Sequence, residues 1–262
     1  MTRSSNPSSQ ATARKEAVRH FWDVQPCGSA AVSGEIGSRD FFDQVEAHRY
    51  RAEWFIPCLV EFTRWRGKRV LEIGCGLGTD TLQFLRAGAE VTALDLSGRS
   101  VGLAQQRARY EGYRALFLNA DAEGLPFADG SFDLVYSWGV LHHTPDTERA
   151  IAEVRRVLRA SATALTMLYH RHSLRALETY IVYGLLRGRP LASLRQLLAR
   201  HQESPGTKAY TRGEVEQMFR AFSALRVKPI LTPYDTRPPL YPWLRHLLPD
   251  ALGWFLFIEA VK

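Results

Sequence analysis

The sequence predicts an α/β fold, a doubly wound and mostly parallel sheet of seven strands with a helical insertion after the fifth strand. Three observations support this prediction: β-prone runs alternate with stretches of helical spacing, a glycine-rich turn follows the first run, and an aspartate ends the second. The 262 residues, 45% of them hydrophobic, are enough for one globular domain with a large core. We therefore expect no second independent fold.

The central element is the stretch 68–80, in which an apolar strand leads into a glycine-rich turn and then into a helix. Residues 70–73 suit a central parallel strand. The turn carries three glycines at alternate positions, which let the backbone bend sharply and approach a ligand: Gly74, Gly76 and Gly78. Thr79 and Asp80 then open a helix whose free N–H groups point back at the turn. This corner predicts a nucleotide-binding site.

The glycine spacing separates two classes of nucleotide cofactor. Asp95 ends the second apolar run, residues 90–94, where a doubly wound sheet presents a carboxylate to the hydroxyls of a ribose. A dinucleotide fingerprint would require a third glycine at the position of Thr79. Glu72, two residues before the turn, would also disfavour phosphates and would help to hold a cationic ligand. The pattern favours a cofactor without a pyrophosphate and leaves an NAD enzyme as the third-ranked alternative.

Glu72, the glycine-rich turn at residues 74–78 and Asp95 together resemble the first two motifs of the class I S-adenosylmethionine-dependent methyltransferases. The resemblance continues through residues 118–127 and 132–137, and residues 138–146 are similar to the small-molecule branch that includes the ubiquinone and menaquinone methyltransferases. It covers residues 66–169 well and the remainder by architecture only. It implies a Rossmann-like methyltransferase domain over residues 66–262.

The resemblance also implies S-adenosyl-L-methionine as the cofactor and a set of residues that bind it. Asp95 would bind the ribose, and Asp121 would bind the adenine amino group. The implied set comprises Glu72, Gly74, Cys75, Gly76, Gly78, Asp95, Leu96, Asp121, Ala122, Ser137 and Trp138.

The chain before the domain is predicted to be a disordered tail, residues 1–13, and a helical cap, residues 14–65. In the family such a segment often folds over the cofactor mouth. We therefore expect Phe21, Trp22 and the turn at residues 26–29 to form part of a lid. Simple packing of a terminal helix on the core is the alternative.

The remaining elements follow from periodicity and turn signals. Helices are predicted at residues 41–51, 54–65, 79–86, 97–111, 146–158 and 214–222, and further strands at residues 115–118, 132–137, 163–168, 225–228 and 254–261. Between the fifth and sixth strands lies the insertion, residues 170–210. Its leucines recur at helical spacing, and Gly188 and Pro190 divide it into two amphipathic helices.

Methyl transfer from a sulfonium is an in-line displacement, so the protein supplies alignment, exclusion of water and, for a protonated nucleophile, a base. Ligands of open α/β sheets gather at the carboxyl ends of the strands, so the candidate catalytic residues follow strands four and five: His142, His143, Tyr169 and His170. Each histidine has an alternative as a helix cap or a packing residue. Because no carboxylate or thiol stands at ligand spacing beside the histidines, we expect no metal site.

The insertion is the predicted substrate-binding element. Residues 170–202 carry six arginines and one glutamate, together with two tyrosines. We expect Tyr180 and Tyr183 to form a wall for an apolar or aromatic acceptor, with Arg171 or Arg175 available for an acidic group. If the leucine face only packs on the sheet, the insertion is a structural cover instead.

The charge distribution bears on the choice of substrate. The chain carries 34 Lys+Arg against 27 Asp+Glu, and the whole excess of +7 lies in residues 170–262, which hold 14 basic and 7 acidic residues. This basic third suggests a nucleic-acid methyltransferase. An amino-methylating enzyme of that kind would show Asn/Asp-Pro-Pro-aromatic after strand four, where this chain has Ser-Trp-Gly-Val at residues 137–140. The sequence therefore favours a small-molecule acceptor without a nucleic-acid partner, and leaves open a non-catalytic cofactor-binding subunit and a homodimer.

The composition also predicts a cellular compartment. Three scattered cysteines are too few for a disulfide framework, which is typical of a reducing cytoplasm. No run of 18 apolar residues exists, and the N-terminus is polar without an apolar signal core. We expect a cytoplasmic protein without a membrane span.

Overall fold

The computed structural model describes residues 7–235 and 247–262. Seven strands form one sheet in the order β3-β2-β1-β4-β5-β7-β6. The strands are β1 (Arg69–Ile73), β2 (Glu90–Asp95), β3 (Leu116–Asn119), β4 (Phe132–Trp138), β5 (Leu158–Tyr169), β6 (Ala224–Ile230) and β7 (Phe255–Val261). β7 pairs antiparallel with both of its neighbours, and β1 to β5 are parallel. The predicted fold class is confirmed.

Nine helices accompany these strands in the described ranges. They are α1 (Pro7–Val24), α2 (Arg39–Ala52), α3 (Ile56–Val60), α4 (Thr79–Arg86), α5 (Gly98–Tyr110), α6 (Thr147–Val157), α7 (Leu174–Tyr183), α8 (Leu194–His201) and α9 (Arg212–Met218). The predicted N-cap of α5 is confirmed, because the Ser97 side chain accepts a hydrogen bond from the Ser100 N–H at 3.0 Å. None of the helices in the described part of the chain is long and apolar enough to cross a membrane.

The core forms two layers, one on each face of the sheet. Because successive side chains of a strand point to opposite faces, Val70 and Tyr136 join one buried cluster, whereas Leu71 and Val135 join the other. All four side chains are fully buried. Such burial on both faces is characteristic of parallel strands and explains the near-continuous apolar runs in the sequence.

The boundaries of several elements differ from the predictions. The predicted helix at residues 54–65 is interrupted at Glu61, which has a φ of 50°, so α3 ends at Val60 and a short 3₁₀ helix follows at Phe62–Trp65. α1 begins at Pro7, so residues 7–13 are helical rather than disordered, and residues 1–6 of the predicted tail lie outside the described residues. β5 begins at Leu158 instead of residue 163, because Leu158 already pairs with Phe132 before the register shifts. Ser161 has a φ of 60°, and this left-handed residue bends the chain within the early part of β5.

Candidate active site

A cavity of about 660 Å³ lies at the carboxyl ends of β1, β2, β4 and β5. Its position is the switch point of the sheet, because the strand order reverses between β1 and β4. Residues of α1, α2 and the segment after α8 complete its wall. The cavity therefore lies where an open α/β sheet gathers its ligands.

The glycine-rich turn forms the floor of the cavity. Gly74 has a φ of 81°, and a Cβ atom there would lie only 2.1 Å from a Val140 methyl carbon, so no side chain is tolerated. Gly76 has a φ of 51°, and a Cβ atom there would meet nothing within 4 Å. Gly76 lines the cavity, so its backbone faces open space that a ligand can enter.

Asp95 connects the end of β2 to this turn. Its Oδ2 accepts the Gly76 N–H at 2.9 Å, and its Oδ1 accepts the Ser97 N–H at 2.8 Å. Burial raises the pKa of Asp95, and the two backbone hydrogen bonds oppose that shift. Since each carboxylate oxygen can accept more than one hydrogen bond, Asp95 keeps capacity for the donors of a ligand.

Two further groups of the cavity wall lie beside the turn. Glu72 is buried and accepts a hydrogen bond from the Thr81 hydroxyl. Burial raises the pKa of Glu72 well above its ordinary value, and the neighbouring Asp80 adds to the shift. Arg49 on α2 brings a cation to the same cavity and lies 2.7 Å from an Asp80 oxygen.

Arg49 belongs to a buried network that the sequence analysis missed. Asp80 accepts hydrogen bonds from the hydroxyls of Tyr50 and Tyr136, both at 2.8 Å. Glu53 lies 3.3 Å from Arg49 and accepts the Trp138 indole N–H at 2.7 Å. Asp80 had been interpreted only as part of the helix start, and α2 carries no motif that points to this role.

The N-terminal helix α1 covers one end of the cavity. Lys15 Nζ lies 2.6 Å from an oxygen of Asp121 and 2.6 Å from an oxygen of Glu123. Trp22 lines the cavity, as Cys27 and Gly28 of the predicted turn do. This position fits the predicted lid, and its closure on a ligand stays a prediction.

Nine of the eleven predicted cofactor-binding residues line the cavity. They are Glu72, Gly74, Cys75, Gly76, Asp95, Leu96, Asp121, Ala122 and Trp138. Gly78 is directed away, since a Cβ atom there would lie 3.0 Å from the Ala104 Cβ on α5. Ser137 is fully buried, and its hydroxyl donates to the Ile73 carbonyl at 3.3 Å. Neither residue is placed to touch a ligand in the cavity.

The four catalytic candidates separate into two pairs. His143 and Tyr169 line the cavity. His142 is fully buried and packs on the Tyr169 ring, with centroids 3.9 Å apart, while His170 Nδ1 lies 3.0 Å from the Gly253 carbonyl oxygen. Neither His142 nor His170 is among the cavity residues, so both are better explained as packing residues.

His143 is held as a neutral imidazole. Its Nδ1 lies 2.7 Å from the Ser204 hydroxyl and 3.1 Å from that of Thr207, and its Nε2 has no hydrogen-bond partner among the described residues. Burial, with a smaller contribution from Lys208, lowers the pKa of His143 to about 3. A histidine of such low basicity is a poor proton acceptor at neutral pH.

Tyr169 is part of a group of contacting aromatic rings in the cavity wall. Its ring lies 4.4 Å from that of Trp254 and 5.9 Å from that of Phe255. We call these contacting aromatic residues of the cavity wall the aromatic chamber: Trp138, Tyr169, Tyr234, Trp254 and Phe255. These rings come from the ends of β4, β5 and β7 and from the segment after β6.

Glu203 places a carboxylate in the aromatic chamber. It follows α8, lines the cavity, and accepts a hydrogen bond from the Tyr169 hydroxyl at 2.9 Å. Although Glu203 is among the exposed residues, desolvation by the neighbouring protein atoms raises its pKa. The chamber thus combines apolar rings with one carboxylate of raised basicity.

Three predicted substrate residues, Tyr180, Tyr183 and Arg171, do not line the main cavity. The Tyr180 hydroxyl donates to the Pro190 carbonyl at 2.6 Å, and the Tyr183 ring stacks on His201 at 3.9 Å. Both tyrosines thus make contacts within the insertion, which replace the wall expected of them. Arg171 pairs with Glu214 and lines a separate cavity. Arg175, the other arginine predicted for an acidic group, does line the main cavity, as residues 201–203 also do.

Within residues 7–235 and 247–262, no group of three or more His, Cys, Asp or Glu side chains is arranged to hold a metal ion.

The central part of the chain is similar to known methyltransferases. Residues 70–161 match the sequence model of a family described as a methyltransferase domain. A stretch of 122 residues, 45% of this chain, is 35% identical to 44% of the methyltransferase GfsG of Streptomyces halstedii. A stretch of 96 residues, 36% of this chain, is 40% identical to 35% of the 27-O-demethylrifamycin SV methyltransferase of Amycolatopsis mediterranei. The match therefore spans less than half the length of each of these relatives.

The fold is also similar to that of solved structures. The PH0226 protein of Pyrococcus horikoshii aligns with a TM-score of 0.62 at 18% identity, over 93% of this chain and 98% of that protein. At this identity the similarity concerns the fold alone. The specific likeness to the quinone methyltransferase branch stays a prediction.

Proposed function

We propose that this chain transfers a methyl group from S-adenosyl-L-methionine to a small-molecule acceptor, because residues 70–161 match the sequence model of a methyltransferase domain. The observation that carries the proposal is the gathering of nine predicted cofactor-binding residues around one cavity at the switch point of the sheet. A cytoplasmic location and a homodimeric state remain predictions from the sequence.

The cavity suits the cofactor in shape and in charge. Gly76 leaves open space at the turn, where a side chain would stand in the way of the amino-acid end. Arg49 would bind the carboxylate of that end, and Glu72 would bind its ammonium group, because both line the cavity. Asp95 would accept from the ribose hydroxyls, and Asp121 would accept from the adenine amino group. When bound, the cofactor supplies a methyl group activated by its sulfonium.

The aromatic chamber is the proposed acceptor site. Its rings would bury an apolar or aromatic molecule, exclude water and fix its orientation beside Trp138. This role, which the sequence analysis had assigned to the insertion tyrosines, thus falls to residues at the strand ends.

Glu203 is the proposed general base. It would remove a proton from a methyl acceptor that reacts through a hydroxyl or a protonated amine. Its raised pKa makes it a stronger base than an ordinary carboxylate, and the Tyr169 hydroxyl orients it. His143, with its pKa near 3, is a weaker base at neutral pH and would serve as a contact in the wall.

Incubation with methyl-labelled cofactor tests this proposal. The label should pass to low-molecular-weight acceptors with aromatic or apolar bodies, and Asp95→Asn should reduce the transfer. Label recovered only in nucleic acid, or no transfer to any acceptor by a protein that binds the cofactor, would exclude small-molecule methylation.

A further inference from the structure

A second cavity, of about 490 Å³, lies next to the first and has a strongly basic wall. Val18, His143, Thr144 and Pro145 line both cavities. We call the second one the basic cavity, because its wall includes four cationic side chains: Arg14, Arg171, Arg195 and Lys208. No aspartate or glutamate of the described residues belongs to that wall.

Lys208 is a half-buried cation of the basic cavity. Its Nζ donates to the carbonyls of Thr144 at 2.6 Å and Pro145 at 3.1 Å, and no carboxylate of the described chain lies within salt-bridge distance. Burial lowers the pKa of Lys208 to about 8, and repulsion from Arg14 adds to the shift. An ammonium group donates three hydrogen bonds, so one N–H of Lys208 remains for a ligand.

The nearest acidic groups already have other partners. Glu123 and Asp146 are close enough to oppose the lowering of the Lys208 pKa. Glu123 forms an ion pair with Lys15, and the Asp146 side chain accepts the Arg149 N–H at the start of α6. Neither carboxylate forms an ion pair with Lys208, so the ammonium group has no direct anionic partner among the described residues.

The two insertion-side arginines share one carboxylate. Arg171 and Arg195 both pair with Glu214, so one negative charge faces two positive charges. Arg171 Nη1 is buried and has no hydrogen-bond partner in the described ranges. The donors of a solvent-exposed basic surface are hydrogen-bonded to water. A buried donor without a partner, such as Arg171 Nη1, instead costs free energy of folding.

We propose that the basic cavity binds a small anionic group, a phosphate or a carboxylate, through Lys208, Arg171 and Arg14. Guanidinium and ammonium groups that line one cavity can donate hydrogen bonds to the oxygens of such an anion. Glu214, the carboxylate that pairs with Arg171 and Arg195, is not part of the cavity wall. The anion is either the acidic end of a methyl acceptor or a separate small molecule. The site itself does not depend on the proposed methyl transfer.

Calorimetric titration of inorganic phosphate into the full chain, in a phosphate-free buffer, tests the site without turnover. We expect wild-type protein to bind phosphate and Lys208→Met to bind it at least tenfold more weakly. Lys228→Met, which removes an exposed charge on β6, should bind phosphate like the wild type. Arg14→Met changes an exposed residue of α1 and should also weaken binding, so the test does not rest on the folding of one variant.

Two results would overturn the proposal: a wild-type protein that does not bind phosphate, or Lys208→Met and Arg14→Met variants that bind it as tightly as Lys228→Met. S-adenosylhomocysteine affinity is measured on the same variants, so failure of the anion site is distinguishable from failure of the cofactor site. Once an acceptor is known, phosphate that competes with it assigns the site to the acidic end of the acceptor. Phosphate that binds without competing assigns it to a separate anion.

Discussion

Asp95→Asn should weaken binding of S-adenosylhomocysteine by about 10- to 100-fold. Both oxygens of Asp95 accept backbone N–H groups, from Gly76 at 2.9 Å and Ser97 at 2.8 Å. An asparagine has only one carbonyl oxygen, so in either orientation its amide nitrogen would oppose one of these donors. The substitution therefore disturbs the glycine-rich turn and also removes the negative charge offered to the ribose.

The magnitude follows from the lost hydrogen bonds. A hydrogen bond to a charged group contributes about 1.5 to 3 kcal/mol, and about 1.4 kcal/mol corresponds to a factor of ten in affinity. Isothermal titration calorimetry measures the change directly. Asp43→Asn is the matched control, since Asp43 is exposed on α2 and does not line the cavity. An affinity of Asp95→Asn within about twofold of the wild type would refute the assignment of Asp95 to the ribose.

Three further predictions follow from the same structure. Hydrogen exchange over residues 14–35 should slow when S-adenosylhomocysteine binds, because α1 and the following turn lie over the cavity; unchanged exchange would leave this segment as ordinary packing. Glu203→Gln should lower kcat at least tenfold with unchanged S-adenosylhomocysteine affinity. The wild-type rate should fall as pH drops through the raised pKa of Glu203. If kcat is the same in Glu203→Gln and in the wild type, Glu203 is not the base. Arg171 lowers the pKa of Glu214 to about 2 despite partial burial, so Glu214 should stabilise the fold above its ordinary pKa of 4.5, and that stability should be lost as pH falls towards 2. Acid unfolding measured by circular dichroism should show this loss of stability between pH 4.5 and 2 in the wild type but not in Glu214→Gln.

The fold was predictable because its signals are local. The buried strand β1 contains Val70, Leu71 and Ile73, and its apolar run is visible in the sequence. The backbone has positive φ angles at Gly74 and Gly76, which favour glycine, so the turn is also recognisable from the sequence. Asp95 was predictable for the same reason, since its position is defined by the end of an adjacent strand.

The missed parts of the site depend on tertiary packing. Arg49 reaches the cavity because α2 packs beside α4, and no spacing within α2 encodes that contact. Glu203 lies just beyond a helix of the insertion, where the sequence pattern indicates amphipathic helices but not the direction in which the chain returns to the sheet. For the same reason, Tyr180 and Tyr183 were assigned to a wall that the strand-end aromatic residues provide.

The most direct test of the central claim is a calorimetric comparison of S-adenosylhomocysteine with NAD on the full chain. The glycine spacing and the cavity, with Glu72 and Arg49 at one end and Asp95 and Asp121 along its wall, suit a cofactor without a pyrophosphate. We therefore expect S-adenosylhomocysteine to bind more tightly than NAD. Tighter binding of NAD, or no binding of S-adenosylhomocysteine, would contradict the account.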